Sequence, residues 1–149
     1  MTLLPPSTNA DYRGLTLSAW FLVLLGVLSV VPGFIHYFLP DGGAGVIAGI
    51  DLSTRRETIV AIFAWFGALQ IPYGIGLMII GLRYRPLTPL FLSLVILERG
   101  LMAIDGWLLK GSHGEHHPPE HYASVATVAL GLIFLALSLR EKAPERAPA

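Results

Sequence analysis

The chain has 149 residues, of which 54% are hydrophobic and only 13% are charged, and its formal net charge is zero. Soluble domains carry about 25% charged residues, so this surface is not suited to water alone. The lack of net positive charge argues against nucleic acid as a partner. The length fits a single domain, and the absence of cysteine excludes disulfides, thiolate ligands and thiol nucleophiles.

Four apolar segments are each long enough to cross a bilayer as a helix. They lie at about residues 15–39, 55–82, 87–110 and 120–139. The tail, residues 140–149, is charged and rich in proline, and is predicted to be disordered. The N-terminus has prolines and an acid where a signal peptide has a basic region, so we expect the first segment to remain as a span. The sequence predicts an all-α fold, a four-span transmembrane antiparallel helix bundle forming one integral membrane domain (residues 1–149), with both termini on the same side.

The connections and small residues add detail to this bundle. The glycine-rich connection after the first span is too short to cross a membrane and is predicted to dip into the interface. Thr54 and Glu57 have the spacing of a capping box, which predicts a helix start there. Gly67, Gly74 and Gly76 in the second span are predicted to leave room for a neighbouring helix.

The distribution of basic residues predicts the orientation. Six lie on the side of the termini, namely Arg13, Arg83, Arg85, Arg140, Lys142 and Arg146. Three lie on the other side, namely Arg55, Arg56 and Lys110. By the positive-inside rule, this favours a plasma (inner) membrane protein with cytoplasmic N- and C-termini and an outer histidine loop.

One segment suggests a family. GIDLSTRRETIVAIFAWFGALQIPYGIGLMI contains a G-x-x-Q-x-x-x-G pattern formed by Gly67, Gln70 and Gly74. With the loop before it, this segment resembles small four-helix bacterial membrane proteins of the DoxX-like kind, over about residues 15–139. The histidine-rich loop is not part of the likeness. The resemblance implies a four-helix bundle and does not fix an activity.

Ionisable residues inside the third span are the first candidate site. Glu98 and Asp105 are seven residues apart, so they lie about 20° apart in rotation and share one face of a helix. Each charge inside a membrane costs about 2.5–3.5 kcal/mol on insertion scales, so we expect this face to turn into the bundle, toward Gln70 and Tyr73, and to form its core. Glu98, Arg99 and Gln70 form either a structural polar cluster or a proton or substrate relay.

The charges within the spans do not balance. Two carboxylates face one guanidinium, which leaves one negative charge in excess if all three ionise. Either one acid is protonated, or a cation balances it. His36 is the internal candidate, and a bound proton or metal ion is the external one.

The connection between the third and fourth spans is the second candidate site. It offers six potential ligands, His113, Glu115, His116, His117, Glu120 and His121. Imidazole and carboxylate groups suit a divalent transition metal such as Zn, Ni, Cu or Fe, and Asp105 and His36 lie at a level where they would complete a site. No standard zinc spacing is present. A solvated polar turn and a pH-responsive gate are the alternatives.

These features predict a small multi-pass membrane binding or accessory protein without enzymatic activity. Its outer half would form a polar pocket from His36, Asp105, Glu120 and His121, holding a metal ion, a proton or a small polar-headed molecule such as a quinone or lipid. A metal-dependent membrane oxidoreductase or hydrolase using the same groups is one alternative. A structural subunit is another, because Ala123, Thr127 and Gly131 form a small-residue stripe suited to a partner helix or a second copy of the chain.

Overall fold

A computed structural model of the chain describes residues 2–110 and 116–141. It contains four long helices, α1 (Thr16–Phe38), α2 (Arg56–Arg83), α3 (Thr88–Leu108) and α4 (Pro119–Ser138), and no strand among the described residues. All four are long and apolar enough to cross a membrane. The all-α, four-span prediction is confirmed, and each helix end lies within one or two residues of its predicted place. Most of the tail predicted to be disordered, residues 142–149, lies outside the described part.

The start of α1 and the end of α4 lie side by side. The backbone N–H of Leu15 donates to the carbonyl oxygen of Leu137 across 3.3 Å. We call this end of the bundle the terminal end, and the opposite end, with the connection between α1 and α2, the loop end. The cytoplasmic position of the terminal end stays a prediction.

α1 and α2 approach each other closely at three levels. A Cβ atom added to Gly74 would lie 2.5 Å from the carbonyl oxygen of Gly26, and one added to Gly26 would lie 2.6 Å from that of Gly74. A Cβ on Gly67 would lie 2.6 Å from the Gly33 oxygen, and a Cβ on Gly81 would lie 2.6 Å from the Ala19 oxygen. The small residues repeat every seven positions on both helices, at Ala19, Gly26 and Gly33 on α1 and at Gly67, Gly74 and Gly81 on α2. A seven-residue repeat keeps them on one face, and small residues allow two backbones to meet.

The prediction for the glycines of the second span is confirmed for two of the three. Gly67 and Gly74 both contact α1, but no atom of the described residues lies within 4 Å of a Cβ on Gly76. Gly76 is two residues beyond Gly74, which places it about 200° around the helix. Gly76 therefore lies away from α1, and its contact with any other neighbouring helix stays a prediction.

The hydrophobic core lies in the half of the bundle near the terminal end. It consists of buried apolar side chains from three helices, namely Phe21, Leu22, Leu25, Leu77, Leu92 and Val95. Phe134 of α4 stacks on Phe21 with a centroid distance of 4.1 Å. The prediction that the acidic face of α3 forms the core is wrong, because aliphatic and aromatic side chains fill it at no desolvation cost. Tyr73 borders this core and is the group that interacts with Glu98.

The bundle is built as two hairpins. α1 packs mainly on α2 and α3 mainly on α4, whereas contacts between the two pairs are sparse. The core joins the hairpins near the terminal end. Toward the loop end they separate around a cavity.

The segment before α1 caps the end of α2. Asn9 donates from its side-chain amide to the carbonyl oxygen of Leu82 (2.6 Å), and the Ser7 hydroxyl donates to that of Arg83 (2.9 Å). The Tyr84 hydroxyl donates to the carbonyl oxygen of Pro5 across 2.8 Å. Helix ends leave carbonyl groups without intrahelical partners, and this segment satisfies two of them.

The start of α2 differs from the sequence prediction. The residue before the helix is Arg55, in the left-handed region at φ 55°, and the helix start has no side-chain cap hydrogen bond. The capping box predicted at Thr54 and Glu57 is wrong, because Arg55 occupies the capping position and Thr54 lies one residue too early.

Candidate binding cavity

A cavity of about 720 Å³ lies between the two hairpins at the loop end. Most of its wall is apolar, and α2 contributes the largest part through Ile62, Phe63, Trp65, Phe66 and Leu69. Met102 of α3 and Pro119 of α4 face this wall from the other hairpin. The cavity exists because the close contact of α1 with α2 is not matched by contact between the hairpins.

The connection between α1 and α2 forms the roof of this cavity, through Gly43, Ile47, Ala48 and Ile50. The Asp41 carboxylate organises the roof by accepting backbone N–H groups from Gly43 (2.9 Å), Gly45 (3.2 Å) and Val46 (3.0 Å). These hydrogen bonds hold the pKa of Asp41 below its usual value, and the bond from Val46 has the largest effect. Gly43 has a φ of 75°, which favours glycine. The segment predicted to dip into the interface is thus a folded roof, and its depth in a membrane stays a prediction.

Two histidines attach the roof to the rest of the molecule. His36 of α1 donates from Nδ1 to the carbonyl oxygen of Gly42 across 2.7 Å. His116 donates from Nε2 to the carbonyl oxygen of Ala48 across 2.9 Å, which joins the roof to the other hairpin. Gly49 has a φ of 67°, and a Cβ there would lie 2.8 Å from His116 Nε2. Both imidazoles therefore have a structural role.

A second histidine group lies where α3 meets α4. The Trp107 indole donates to the backbone oxygen of His121 across 3.2 Å, and the ring of His117 stacks on it at 4.2 Å. The Nδ1 atoms of His117 and His121 are 3.0 Å apart, so one must carry the proton and the other accept it. Gly106 allows this approach, since a Cβ there would lie within 2.9 Å of the His121 ring.

The polar residues of α3 are not arranged as one cluster. Arg99, with its side chain only 13% exposed, forms an ion pair with Glu120 at the start of α4. Glu98 interacts with Tyr73, and its Oε2 has no hydrogen-bond partner among the described residues. The predicted cluster of Glu98, Arg99 and Gln70 is therefore wrong in its pairing. Adjacent residues point about 100° apart on a helix, so Arg99 reaches α4 while Glu98 faces α2.

The four residues predicted to form an outer pocket, His36, Asp105, Glu120 and His121, all line the cavity. Asp105 is exposed, and its carboxylate makes no hydrogen bond or ion pair within the described part of the chain. It lies on the cavity wall rather than inside the packed bundle, which corrects its predicted burial.

Two further polar groups lie in the wall without partners. Gln70 is 8% exposed and Ser124 is fully buried. Both line the cavity, and neither Gln70 Oε1 nor Ser124 Oγ has a hydrogen-bond partner in the regions that the structure describes. Both atoms have almost no accessible surface, so they are enclosed in the wall and are not presented to the interior of the cavity.

No group of three or more histidine, aspartate or glutamate side chains is placed to hold a metal ion in residues 2–110 and 116–141. His116 is bonded to the roof, and His117 and His121 are paired with each other. His113 and Glu115 lie outside the described residues. The predicted metal site stays a prediction, without support from the described ligands.

The small-residue stripe of α4 does not form one surface. Ala123 is exposed and Thr127 half-buried, whereas Gly131 is buried against Ile96 of α3. The role of this stripe in binding a partner helix stays a prediction, and Gly131 serves the bundle itself.

Sequence reasoning missed Trp107 and Gly106, because an aromatic and a small residue near a helix end are common in membrane proteins. It also missed the seven-residue repeat of small residues on α1, which matches the repeat on the antiparallel helix α2.

Comparison with protein-family models, curated proteins and solved structures finds no match for this chain. The resemblance to DoxX-like proteins stays a prediction, and the cavity is the feature of the molecule that bears on function.

Proposed function

We propose that this protein is a non-enzymatic membrane binding protein that holds a small amphiphilic molecule in the cavity at the loop end. The proposed ligand places its polar head among His36, Gln70, Asp105, Glu120 and His121 and its apolar part against α2. A lipid-like molecule with a small head, of the size of a quinone or a single-chain lipid, has the required chemistry. The loop end is proposed to face the outer side of the plasma (inner) membrane, opposite to the cytoplasmic termini.

The main support is the composition of the cavity. Its volume of about 720 Å³ lies within the range of about 300–1,000 Å³ that is usual for small-molecule sites. Such sites are mostly apolar with a few converging polar groups, and the same combination occurs here.

A cavity-filling substitution tests the proposal. Met102 lines the cavity, whereas its neighbour Leu101 is 60% exposed and does not. Met102→Trp should abolish saturable binding of short-chain amphiphiles to protein in lipid nanodiscs, measured by equilibrium dialysis above partition into empty nanodiscs. Leu101→Trp is the matched control and should bind as the native protein does.

A second variant fills the cavity from a different position, so that misfolding of one variant does not decide the result. Ile47→Trp fills the cavity from the roof, where this side chain is 49% exposed. If Met102→Trp and Ile47→Trp both fold, as judged by helical circular dichroism and gel filtration, and still bind as the Leu101→Trp control does, the cavity is not the binding site.

A further inference from the structure

The charge of the cavity identifies the class of ligand. Two carboxylates, those of Asp105 and Glu120, line it, and its described lining contains neither lysine nor arginine. The guanidinium of Arg99 balances Glu120 through their ion pair. Asp105 has no such counter-charge in the described residues, so the wall carries one net negative charge when Asp105 is ionised.

The free carboxylate selects against anionic heads. An ionised carboxylate only accepts hydrogen bonds and carries a negative charge. A phosphate, sulfate or carboxylate head would therefore be repelled by Asp105, whereas an ammonium head is attracted to it.

The aromatic wall favours a cation for an independent reason. Phe63, Trp65 and Phe66 line the cavity on the α2 side. The faces of aromatic rings attract ammonium groups, including quaternary ones, and this attraction increases where water is excluded. The same wall accepts an alkyl chain through the hydrophobic effect.

From the unpaired carboxylate and the aromatic wall we infer that the ligand is a cationic amphiphile, an ammonium head on an apolar tail, whose charge is paired with the carboxylate of Asp105. The inference rests on the proposed binding function and adds to it the charge of the head. Asp105 is the residue that determines specificity, while the apolar wall supplies affinity common to all amphiphiles. Anionic amphiphiles bind most weakly, because Asp105 repels them, and neutral ones bind through the wall alone.

The test compares probes of equal chain length and different charge. The full chain in nanodiscs of neutral lipid is titrated with octyltrimethylammonium, its neutral carbon isostere and octyl sulfate. We expect the cation to bind at least about tenfold more tightly than the isostere, and the sulfate to bind most weakly. Octylphosphocholine, with an ammonium and a phosphate, is the fourth probe; if it binds as tightly as the cation, the ammonium source is a lipid headgroup.

Substitutions at Asp105 attribute the preference to this carboxylate. Asp105→Asn keeps the shape of the side chain and should reduce affinity for the cation to that for the neutral isostere. Asp105→Glu keeps the charge and should retain the preference. Glu57→Gln removes an exposed carboxylate at the start of α2 that does not line the cavity, and it should leave the preference unchanged.

The outcomes separate this inference from the proposed function. Equal affinity of the native protein for the cation and the isostere, with both lost in Met102→Trp, overturns the cationic ligand and leaves the binding cavity in place. An unchanged preference in folded Asp105→Asn also overturns it. If folded native protein binds none of the four probes saturably, the proposed function itself fails.

Discussion

The α1–α2 hairpin and the α3–α4 hairpin are held together by different kinds of contact, backbone to backbone in the first and side chain to side chain in the second. α1 and α2 meet through their backbones, where Gly26 faces Gly74 and neither has room for a Cβ atom. α3 and α4 meet through side chains at the loop end, where Arg99 pairs with Glu120 and Trp107 donates to His121. Backbone contact leaves no adjustable atoms, whereas side-chain contacts change with rotamer and charge. The cavity lies between the two hairpins, so its shape depends on a backbone contact within one hairpin and on side-chain contacts within the other.

The largest expected effect is on the backbone contact. Gly74→Leu forces a side chain into a site where even Cβ would lie 2.5 Å from the Gly26 oxygen. We expect a loss of about 3 kcal/mol or more in the free energy of unfolding, because overpacking at fixed backbone is not relieved by rotamer changes. Reversible unfolding in mixed micelles measures this loss.

Gly76→Ala is the matched control for this contact. Gly76 lies on the same helix, and no atom of the residues that the structure describes is within 4 Å of a Cβ there. Alanine should therefore be neutral or stabilising by up to about 1 kcal/mol, the difference in helix propensity between the two residues. Equal losses in both variants would contradict the backbone contact.

The ion pair of the second hairpin should give the next largest effect. Arg99→Met leaves Glu120 without its partner and should cost about 1–2 kcal/mol, less than the roughly 3–5 kcal/mol of a fully buried pair, because the Glu120 side chain is 43% exposed. The double variant Arg99→Met, Glu120→Met should recover part of the loss. If the two single losses simply add, the residues are not coupled.

A smaller effect is expected at the tryptophan of the second hairpin. Trp107→Phe keeps an aromatic ring beside His117 and removes the indole N–H that donates to His121. The expected loss is about 1 kcal/mol, the usual contribution of one such hydrogen bond. Trp20→Phe is the control, since Trp20 is 51% exposed on α1; a similar loss there would mean that the indole bond contributes nothing specific.

The smallest effect is local and depends on pH. The pKa of Asp41 is lowered in the folded protein by the N–H groups of Val46, Gly43 and Gly45. A lowered folded pKa stabilises the roof above the unfolded value of 3.8, and this stability is lost as the pH falls through the folded pKa. Hydrogen exchange at the Val46 amide, corrected for its intrinsic pH dependence, should show less protection under strongly acidic conditions.

Asp41→Asn should remove most of this pH dependence of the roof. Asp51→Asn is the control, because the pKa of Asp51 is also lowered, but by Ser53, which lies outside the roof turn. A pH response at Val46 that persists in Asp41→Asn would show that another group organises the roof.

The sequence predicted several of the residues that line the cavity, but it did not predict which side chains interact with each other. The level of His36, Asp105, Glu120 and His121 along their helices follows from residue counting, since each helical residue rises about 1.5 Å. The partner of Arg99 does not follow, because it depends on how α3 is rotated relative to α4. The absence of a described partner for Gln70 Oε1 does not follow from the sequence either, because it depends on how the helices pack around this side chain.

The sequence by itself determined the four helices, their approximate bounds and their antiparallel order, because long apolar runs and the turns between them are local properties of the chain. Only the tertiary structure decided which glycines meet α1, that Glu120 pairs with Arg99, and that the hairpins separate around Asp105. These features depend on helix rotation and on packing between segments distant in sequence. In a chain so apolar on all sides, hydrophobic periodicity carries little information about which face turns inward.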